Sequence, residues 1–269
     1  MESSNLLFAL MLTLFAGLST GIGSAIAFFA KRTNTKFLSI ALGFSAGVMI
    51  YVSFVEIFPQ ALTLTGNSDS SYPEFFVVLA FFIGIAFIFL IDMLIPSAEN
   101  PHEVHKVEEM QGGKRKAANA TQLKRTGVLM ALAIGIHNFP EGIATFTTAY
   151  VDPSIAIPIA VAIAIHNIPE GIAVSVPIYY ATGSRRKAFW YSLLSGMAEP
   201  IGGLVGYFLL LPFLTPFTLG LVMAGVAGIM VFISVDELIP AAEEYGEHHY
   251  SIAGFVGGMA VMALSLLLL

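Results

Sequence analysis

Long apolar runs alternate with shorter polar connections along the whole chain. Eight of these runs are long enough to cross about 30 Å of hydrocarbon as helices, a distance that takes roughly 20 residues. Because the runs are continuous and do not alternate between apolar and polar positions, they predict helices rather than barrel strands. The predicted spans lie near residues 5–30, 37–62, 73–95, 126–149, 154–181, 188–211, 216–240 and 250–269.

The composition supports this interpretation. Hydrophobic residues make up 57% of the 269 residues and charged residues 11%, and the mean hydropathy is +0.82. A soluble domain is about 45–50% apolar and roughly a quarter charged, so the excess apolar surface must face lipid. We therefore expect residues 1–269 to form a single polytopic membrane domain in a lipid bilayer. The chain has no cysteine and no large basic patch, which excludes thiolate metal sites and a nucleic-acid partner.

The positive charges predict the orientation in the membrane. All twelve Lys and Arg residues lie in the connections that follow spans 1, 3 and 5. These connections share one side of the bilayer, which the positive-inside rule identifies as the cytoplasm. Both termini are then extracytoplasmic, and we expect the protein in the cell (inner or plasma) membrane. The long connection, residues 96–125, is expected to be a flexible cytoplasmic loop that can bind metal.

Two internal repeats relate the ends of the chain. Spans 2 and 7 align at an offset of 181 and share seven of eighteen positions, including Glu56/Glu237 and Pro59/Pro240. Spans 1 and 6 align more weakly at an offset of 179, and spans 3 and 8 share little beyond a Gly and some Phe. Partners five spans apart cross the membrane in opposite directions. The predicted fold is all-α, with eight transmembrane helices in a 3+2+3 arrangement, in which spans 1–3 and 6–8 are inverted repeats around spans 4 and 5.

Spans 4 and 5 repeat each other at an offset of 29. Span 4 contains the sequence IHNFPEGIA and span 5 contains IHNIPEGIA. Residues four apart share a face of a helix, so His137 and Glu141 point the same way, and a second His and Glu do so in span 5. Two such helices side by side would bring these polar side chains together: His137, Asn138, Glu141, His166, Asn167 and Glu170. Span 6 adds the carboxylate of Glu199.

Ionisable residues inside a membrane span need a physical reason, because each costs roughly 2.5–3.5 kcal/mol at the centre of the bilayer. No Lys or Arg lies in the spans to neutralise the acids. Either protons or metal ions must therefore do so, and protonated acids that join helices by hydrogen bonds are the open alternative for single positions. The nitrogen and oxygen ligands of spans 4 to 6 suit zinc, iron, cobalt or manganese.

At these residues the chain resembles the ZIP (Zrt/Irt-like) family of divalent metal transporters, and most of all its ZupT-type bacterial branch. The resemblance covers nearly the whole chain and rests on the paired HNFPEG and HNIPEG motifs. It implies a two-metal site, import into the cytoplasm, and a cargo of zinc with iron, manganese, cobalt and cadmium. By position, the first metal would be bound by His137, Glu141, His166 and Glu170, and the second by Asn138, Glu141, Asn167, Glu170 and Glu199.

The resemblance and the repeats also indicate a transport pathway. Met49 and Glu56 match positions near the outer access path of the family, and Glu237 marks the opposite, inner end of the repeat. Around Glu237 we expect an exit relay, a group of side chains that captures the ion weakly on its way to the cytoplasm. For the histidines of this group, a solvated loop is an equally good alternative. The remaining members of this relay are Asp92, Asp236, His102, His105, His248 and His249.

Three function classes follow from these residues. The first is a metal importer, which is not an enzyme and has no catalytic cofactor. The second is a membrane-embedded metal-dependent hydrolase, since paired carboxylates and histidines can activate water, but no HExxH motif is present. The third is a proton-driven or regulatory membrane protein. Small-residue faces such as Gly17/Gly21, Gly202/Gly206 and Gly254/Gly258 fit packing within the chain or in a possible homodimer.

Overall fold

The fold is described by a computed structural model, which covers residues 2–29, 35–66, 72–94, 135–136, 138–151, 153–182, 184–210, 213, 215–245 and 248–268. These residues are almost entirely helical, and none of them lies in a β-strand. In chain order the helices and two π-helical turns are α1 Glu2–Phe29, α2 Thr35–Val52, a π turn Ser53–Ile57, α3 Phe58–Gly66, α4 Pro73–Leu94, α5 at 138–151, α6 Pro153–Thr182, α7 Arg185–Gly196, α8 Ala198–Leu210, α9 Pro216–Ile233, a π turn Ser234–Leu238, α10 Ile239–Tyr245 and α11 His248–Leu268.

Each predicted span overlaps a described helix. Counting only the described residues, five stretches are long and apolar enough to cross a membrane: Asn5–Ala25, Ser39–Gly66, Pro73–Met93, Pro216–Glu243 and His248–Leu267. A shorter apolar stretch, Ala156–Ile172, lies within α6. Few of the side chains of α4 and α11 are buried, and many of the exposed ones are apolar, as expected of helices that face lipid. The prediction of an all-α membrane protein is therefore confirmed.

The two π turns occupy equivalent positions in the repeat. Ser53–Ile57 and Ser234–Leu238 are separated by the offset of 181, and each ends with a bond from the next residue's N–H to the serine carbonyl. Both turns show the same sequence of buried and exposed residues. A proline follows one residue later in both cases, and its ring would clash with the carbonyl four residues back. The wider turn relieves that clash while the helix continues.

Glycine contacts in the outer helices also occur in matched pairs. Gly47 of α2 lies against the backbone of Phe255 in α11, and its repeat partner Gly228 in α9 lies against Phe81 in α4. The reverse contacts match as well, because Gly258 of α11 meets α2 and Gly84 of α4 meets α9. The weak sequence likeness between spans 3 and 8 thus corresponds to equivalent packing. The shared residues Gly84/Gly258 and Phe81/Phe255 are among those that contact the neighbouring helix.

Glycine contacts between the helices around α5 and α6 also occur in matched pairs. Gly23 of α1 lies against the carbonyl of Ile168 in α6, and the equivalent Gly202 of α8 lies against the carbonyl of Phe139 in α5. Gly17 and Gly196 are partners at the offset of 179, and each lies against the backbone of the other. Side chains at these positions would overlap a backbone carbonyl, so only glycine permits this close approach. The small-residue faces noted in the sequence are thus used within the chain.

Candidate metal centre

Helices α5, α6 and α8 bring the predicted ligands into the interior of the protein. The six that the structure describes are each at most 3% exposed: Asn138, Glu141, His166, Asn167, Glu170 and Glu199. The seventh, His137, lies outside the described residues. Burying this many polar side chains is costly unless each finds a partner. The cluster therefore needs hydrogen bonds, protons or cations to be stable.

One direct contact joins the two repeated motifs. Nε2 of His166 on α6 lies 3.2 Å from Oε1 of Glu141 on α5, within hydrogen-bond distance. The two side chains come from neighbouring helices, as the i, i+4 spacing in each motif predicts. Within the part of the chain that the structure describes, no three His, Asp or Glu side chains gather closely enough to hold one ion.

The two asparagines are oriented by equivalent hydrogen bonds. Nδ2 of Asn138 donates to the carbonyl of Ser195 at 3.3 Å, and Nδ2 of Asn167 donates to the carbonyl of Ala16 at 3.0 Å. Ala16 and Ser195 are themselves partners at the offset of 179. Because only the NH₂ group can donate to a carbonyl, these bonds fix which way each amide points. Among the described residues, the two Oδ1 atoms are buried without a hydrogen-bond partner.

Glu199 belongs to the same polar cluster and lies directly after a break between two helices. Helix α7 ends at Gly196 and α8 begins at Ala198, because Pro200 has no N–H to bond the carbonyl of Gly196. Oε1 of Glu199 accepts a hydrogen bond from Nδ2 of Asn167. Its Oε2 is buried and has no hydrogen-bond partner within the described ranges. The site thus offers amide and carboxylate oxygens, which are ligands that hard and borderline cations prefer.

Glycines in the motifs allow the flanking helices to approach. Gly142, directly after Glu141, lies against the backbone of Glu199 in α8. Gly171, directly after Glu170, lies against the carbonyl of Thr20 in α1. A methyl group at either position would overlap this backbone. Gly142 therefore sets the distance between the ligand-bearing helices α5 and α8, and Gly171 sets the distance between α6 and α1.

Comparisons with known proteins identify the family of the chain. The family model described as "ZIP Zinc transporter" matches residues 95–266, which include the whole of the cluster. The chain belongs to the ZIP family. The "Zinc transporter ZupT" of Nitratidesulfovibrio vulgaris is 62% identical over 273 residues, which cover 99% of both chains. The proteins of the same name from Streptococcus mutans and Lysinibacillus sphaericus are 61% and 62% identical, with at least 98% of each chain covered. The family resemblance read from the motifs is confirmed, and this ZIP chain is a multi-pass membrane protein.

The predicted pathway residues of this ZIP chain differ in how far their side chains are buried. Met49 is completely buried in the main core cluster. Glu56 and Glu237 are half-buried at the same place in the two π turns, and Asp236 is exposed beside Glu237. Asp92 is half-buried near the end of α4. The two turns thus place one half-buried carboxylate in each repeat.

The predicted loop histidines are only partly described. His102 and His105, with the whole of residues 96–125, lie outside the described residues. His248 and His249 begin α11 and are exposed, and Nδ1 of His248 lies 2.7 Å from Oε1 of Glu243. The first of this histidine pair therefore faces a carboxylate of α10.

Three groups at the site of this ZIP chain were missed by reasoning from the sequence. The carbonyls of Ala16 and Ser195 accept the asparagine amides, and the hydroxyl of Ser45 donates to the carbonyl of His166 at 3.3 Å. Backbone carbonyls carry no sequence signal, and a lone serine in a span is usually part of helix packing. The offset of 179 was the available clue, because it pairs Ala16 with Ser195.

Proposed function

We propose that the protein imports zinc and related divalent metals across the cytoplasmic membrane through an intramembrane two-metal site. The observation that carries this proposal is the buried cluster on α5, α6 and α8, with three oxygen atoms that lack hydrogen-bond partners among the described residues: Oδ1 of Asn138, Oδ1 of Asn167 and Oε2 of Glu199. No Lys or Arg lies in the predicted spans to balance its carboxylates. A divalent cation would satisfy both the charge and these oxygens.

The relatives support the same cargo. Proteins called "Zinc transporter ZupT" are 61–62% identical to this chain over nearly its whole length. The cluster contains oxygen ligands besides imidazole, so we propose that iron, manganese, cobalt and cadmium compete with zinc. The family is one of transporters, and nothing in the described residues favours a hydrolase.

Within the site we propose two overlapping ligand sets. The carboxylates of Glu141 and Glu170 would bridge the two ions. The imidazoles of His137 and His166 would complete the first set, and Asn138, Asn167 and Glu199 would complete the second. The bond between His166 and Glu141 supports the first set, because it brings a ligand from each motif together. The oriented asparagine amides support the second.

We propose the 3+2+3 architecture for the whole chain. Eight helices would cross the membrane, with spans 1–3 and 6–8 as inverted repeats and both termini outside. The matched glycine contacts and the equivalent π turns support this arrangement. Residues 96–125 would form the cytoplasmic metal-binding loop of this single domain. A homodimer would need a surface other than the three glycine faces, which are used within the chain.

We propose that metal passes from the outer mouth near Glu56, past Met49, to the site and then towards Glu237. At the inner end the exposed carboxylate of Asp236 and the pair of His248 and Glu243 would exchange the ion with the cytoplasm. Asp92 and the loop histidines His102, His105 and His249 would take part in the same relay. Weak ligands suit this task, because an ion that binds tightly cannot leave.

Zinc uptake into proteoliposomes tests the proposed function. We expect Glu141→Ala and Glu170→Ala each to abolish uptake, because each change removes a ligand from both ions. The control is Glu74→Ala, which removes an exposed acid in the first turn of α4 and should leave uptake unchanged. Near-normal uptake in either bridging variant, with normal insertion into the membrane, would contradict the two-metal site.

A further inference from the structure

Thr20 of α1 differs from the other fully buried threonines. Five others in the described part of the chain are at most 3% exposed, and each has a hydrogen-bond acceptor: Thr13, Thr65, Thr145, Thr147 and Thr148. Thr20 is 0% exposed, and its Oγ1 has no hydrogen-bond partner among the described residues. Burying a hydroxyl without a partner is costly, so an unused oxygen here calls for a ligand.

The reason lies one turn earlier in the same helix. A threonine hydroxyl in a helix normally donates to the carbonyl four residues back, which for Thr20 is that of Ala16. That carbonyl already accepts from Nδ2 of Asn167 and, at 2.6 Å, from Oγ of Ser19. The bond that orients the Asn167 ligand therefore occupies the acceptor that Thr20 would use.

The position of Thr20 connects it with the candidate metal centre. Its carbonyl lies against Gly171, next to Glu170, and its side chain lies against Gly196 at the end of α7. Thr20 is thus packed between the turn of α6 that follows Glu170 and the end of α7, three residues before Glu199.

The repeat gives Thr20 a specific counterpart. At the offset of 179 that pairs Gly17 with Gly196 and Ala16 with Ser195, Thr20 pairs with Glu199. The neighbourhoods correspond, since Gly171 lies against the carbonyl of Thr20 and Gly142 lies against that of Glu199. One half of the molecule therefore presents a carboxylate at this place and the other half presents a neutral hydroxyl.

We infer that Thr20 is a specificity-determining ligand of the transport site. This inference rests on the proposed function, and it assigns to Thr20 Oγ1 a neutral oxygen ligand for the ion held by Asn167 and Glu199. A hydroxyl favours hard cations such as manganese relative to zinc without adding a further negative charge. Because Thr20 adds a hydroxyl and not a further carboxylate to those of Glu141, Glu170 and Glu199, the affinity stays low enough for release.

The first test compares Thr20→Val with Thr20→Ser. Valine keeps the shape and removes the oxygen, whereas serine keeps the hydroxyl. We expect Thr20→Val to weaken competition by manganese against zinc uptake roughly three- to tenfold, the effect of losing one ligand contact, and Thr20→Ser to resemble the unchanged protein. Thr13→Val is the matched control, because Thr13 is equally buried on α1 but its hydroxyl bonds the carbonyl of Ala9. It should alter thermal stability without altering the order of competition.

The second test exchanges the two positions. We expect Glu199→Thr to lower the number of zinc ions bound per purified chain. The double variant Thr20→Glu with Glu199→Thr should restore binding, because the carboxylate then reaches the site from α1 instead of α8. The inference is overturned if manganese competes with zinc uptake equally well in Thr20→Val and in the unchanged protein. It is also overturned if the double variant folds but binds no more zinc than Glu199→Thr. If those results occur while Glu170→Ala still abolishes zinc uptake, the proposed function stands and only the role of Thr20 fails. If the unchanged protein neither binds nor transports zinc, both fail.

Discussion

The two asparagines of the candidate site show how single residues are prepared for a cation. Each amide donates to a backbone carbonyl of a neighbouring helix, so its oxygen is held in one orientation before any ion binds. A ligand that is already ordered loses less conformational entropy on binding. The asparagines are therefore positioned by the helices that flank the motifs as well as by the motifs themselves.

This arrangement predicts the effect of replacing Asn138 by Asp. A carboxylate there would face the carbonyl of Ser195 with no hydrogen to donate, and we expect a loss of roughly 1–3 kcal/mol of stability in metal-free protein. Zinc should offset more of this loss than it does in Asn138→Ala, because Asp remains a ligand. Thermal unfolding in detergent with and without zinc measures both effects. Equal zinc stabilisation of the Asp and Ala variants would contradict a ligand role.

The sequence indicated the His, Asn and Glu candidates of the site more readily than the hydroxyl residues beside them. The repeated His, Asn and Glu residues were identifiable because such residues are costly in a membrane span. Thr20 and Ser45 were not, since hydroxyl residues are ordinary in transmembrane helices and usually bond their own backbone. The role of Asn167 was predicted, but its bond to Ala16 depends on the packing of α1.

At the scale of helices, glycine contacts set the spacing of the site. Gly142 lies against the backbone of Glu199, whereas Gly257 in α11 has open space where a side chain would lie. We expect Gly142→Ala to lower thermal stability strongly and to abolish zinc uptake, because α5 and α8 must move apart. Gly257→Ala should be neutral or stabilising by about 0.4–1 kcal/mol through the unfolded state. Similar melting temperatures for the two variants would contradict this account.

The π turns were not predictable from the apolar pattern, because one extra residue per turn hardly changes a continuous apolar run. Only Pro59 and Pro240 hinted at an irregularity. The turns matter because both Ser53 and Ser234 are 0% exposed at their first positions. Each serine lies three residues before the glutamate that marks its proposed mouth, Glu56 at the outer and Glu237 at the inner end. The burial of the serines means that a mouth must open before a reagent can reach them.

The burial of Ser53 and Ser234 allows a test of alternating access. Single cysteines at Ser53 and Ser234 should be protected in the conformation described here, and the chain has no other cysteine. We expect zinc to change labelling by a membrane-impermeant thiol reagent in opposite senses at the two positions, because opening one mouth should close the other. Labelling of both positions at once, from their respective sides, would indicate a continuous channel.

At the scale of the whole molecule, the prediction of an all-α membrane protein was the most successful. Long continuous apolar runs are a strong signal, because a helix satisfies all of its own backbone hydrogen bonds in lipid whereas barrel strands would alternate between apolar and polar positions. The equivalence of spans 3 and 8 was much harder to detect, since a lipid-facing helix tolerates many apolar side chains. Only the residues that meet a neighbouring helix, such as Gly84 and Gly258, keep a specific identity there.

The proposed topology predicts which surfaces each side of the membrane can reach. Tyr72 precedes α4 and is 72% exposed, and His249 is exposed at the start of α11. In intact cells we expect a cysteine at Tyr72 to react with an impermeant reagent and a cysteine at His249 to react only after permeabilisation. The reverse pattern would mean that the orientation from the positive-inside rule is wrong.

The contact between Gly17 and Gly196 differs from all other glycine contacts described above. Those contacts occur twice, once in each half, whereas here each glycine meets its own counterpart. In oligomers, a surface that packs against its own copy defines an isologous interface. A protein of half this length with the same helix would carry everything needed to pair with a second copy of itself. The contact between α1 and α7 inside this single chain thus has the form of a dimer interface. Duplication and fusion of an ancestor of half this length would account for it.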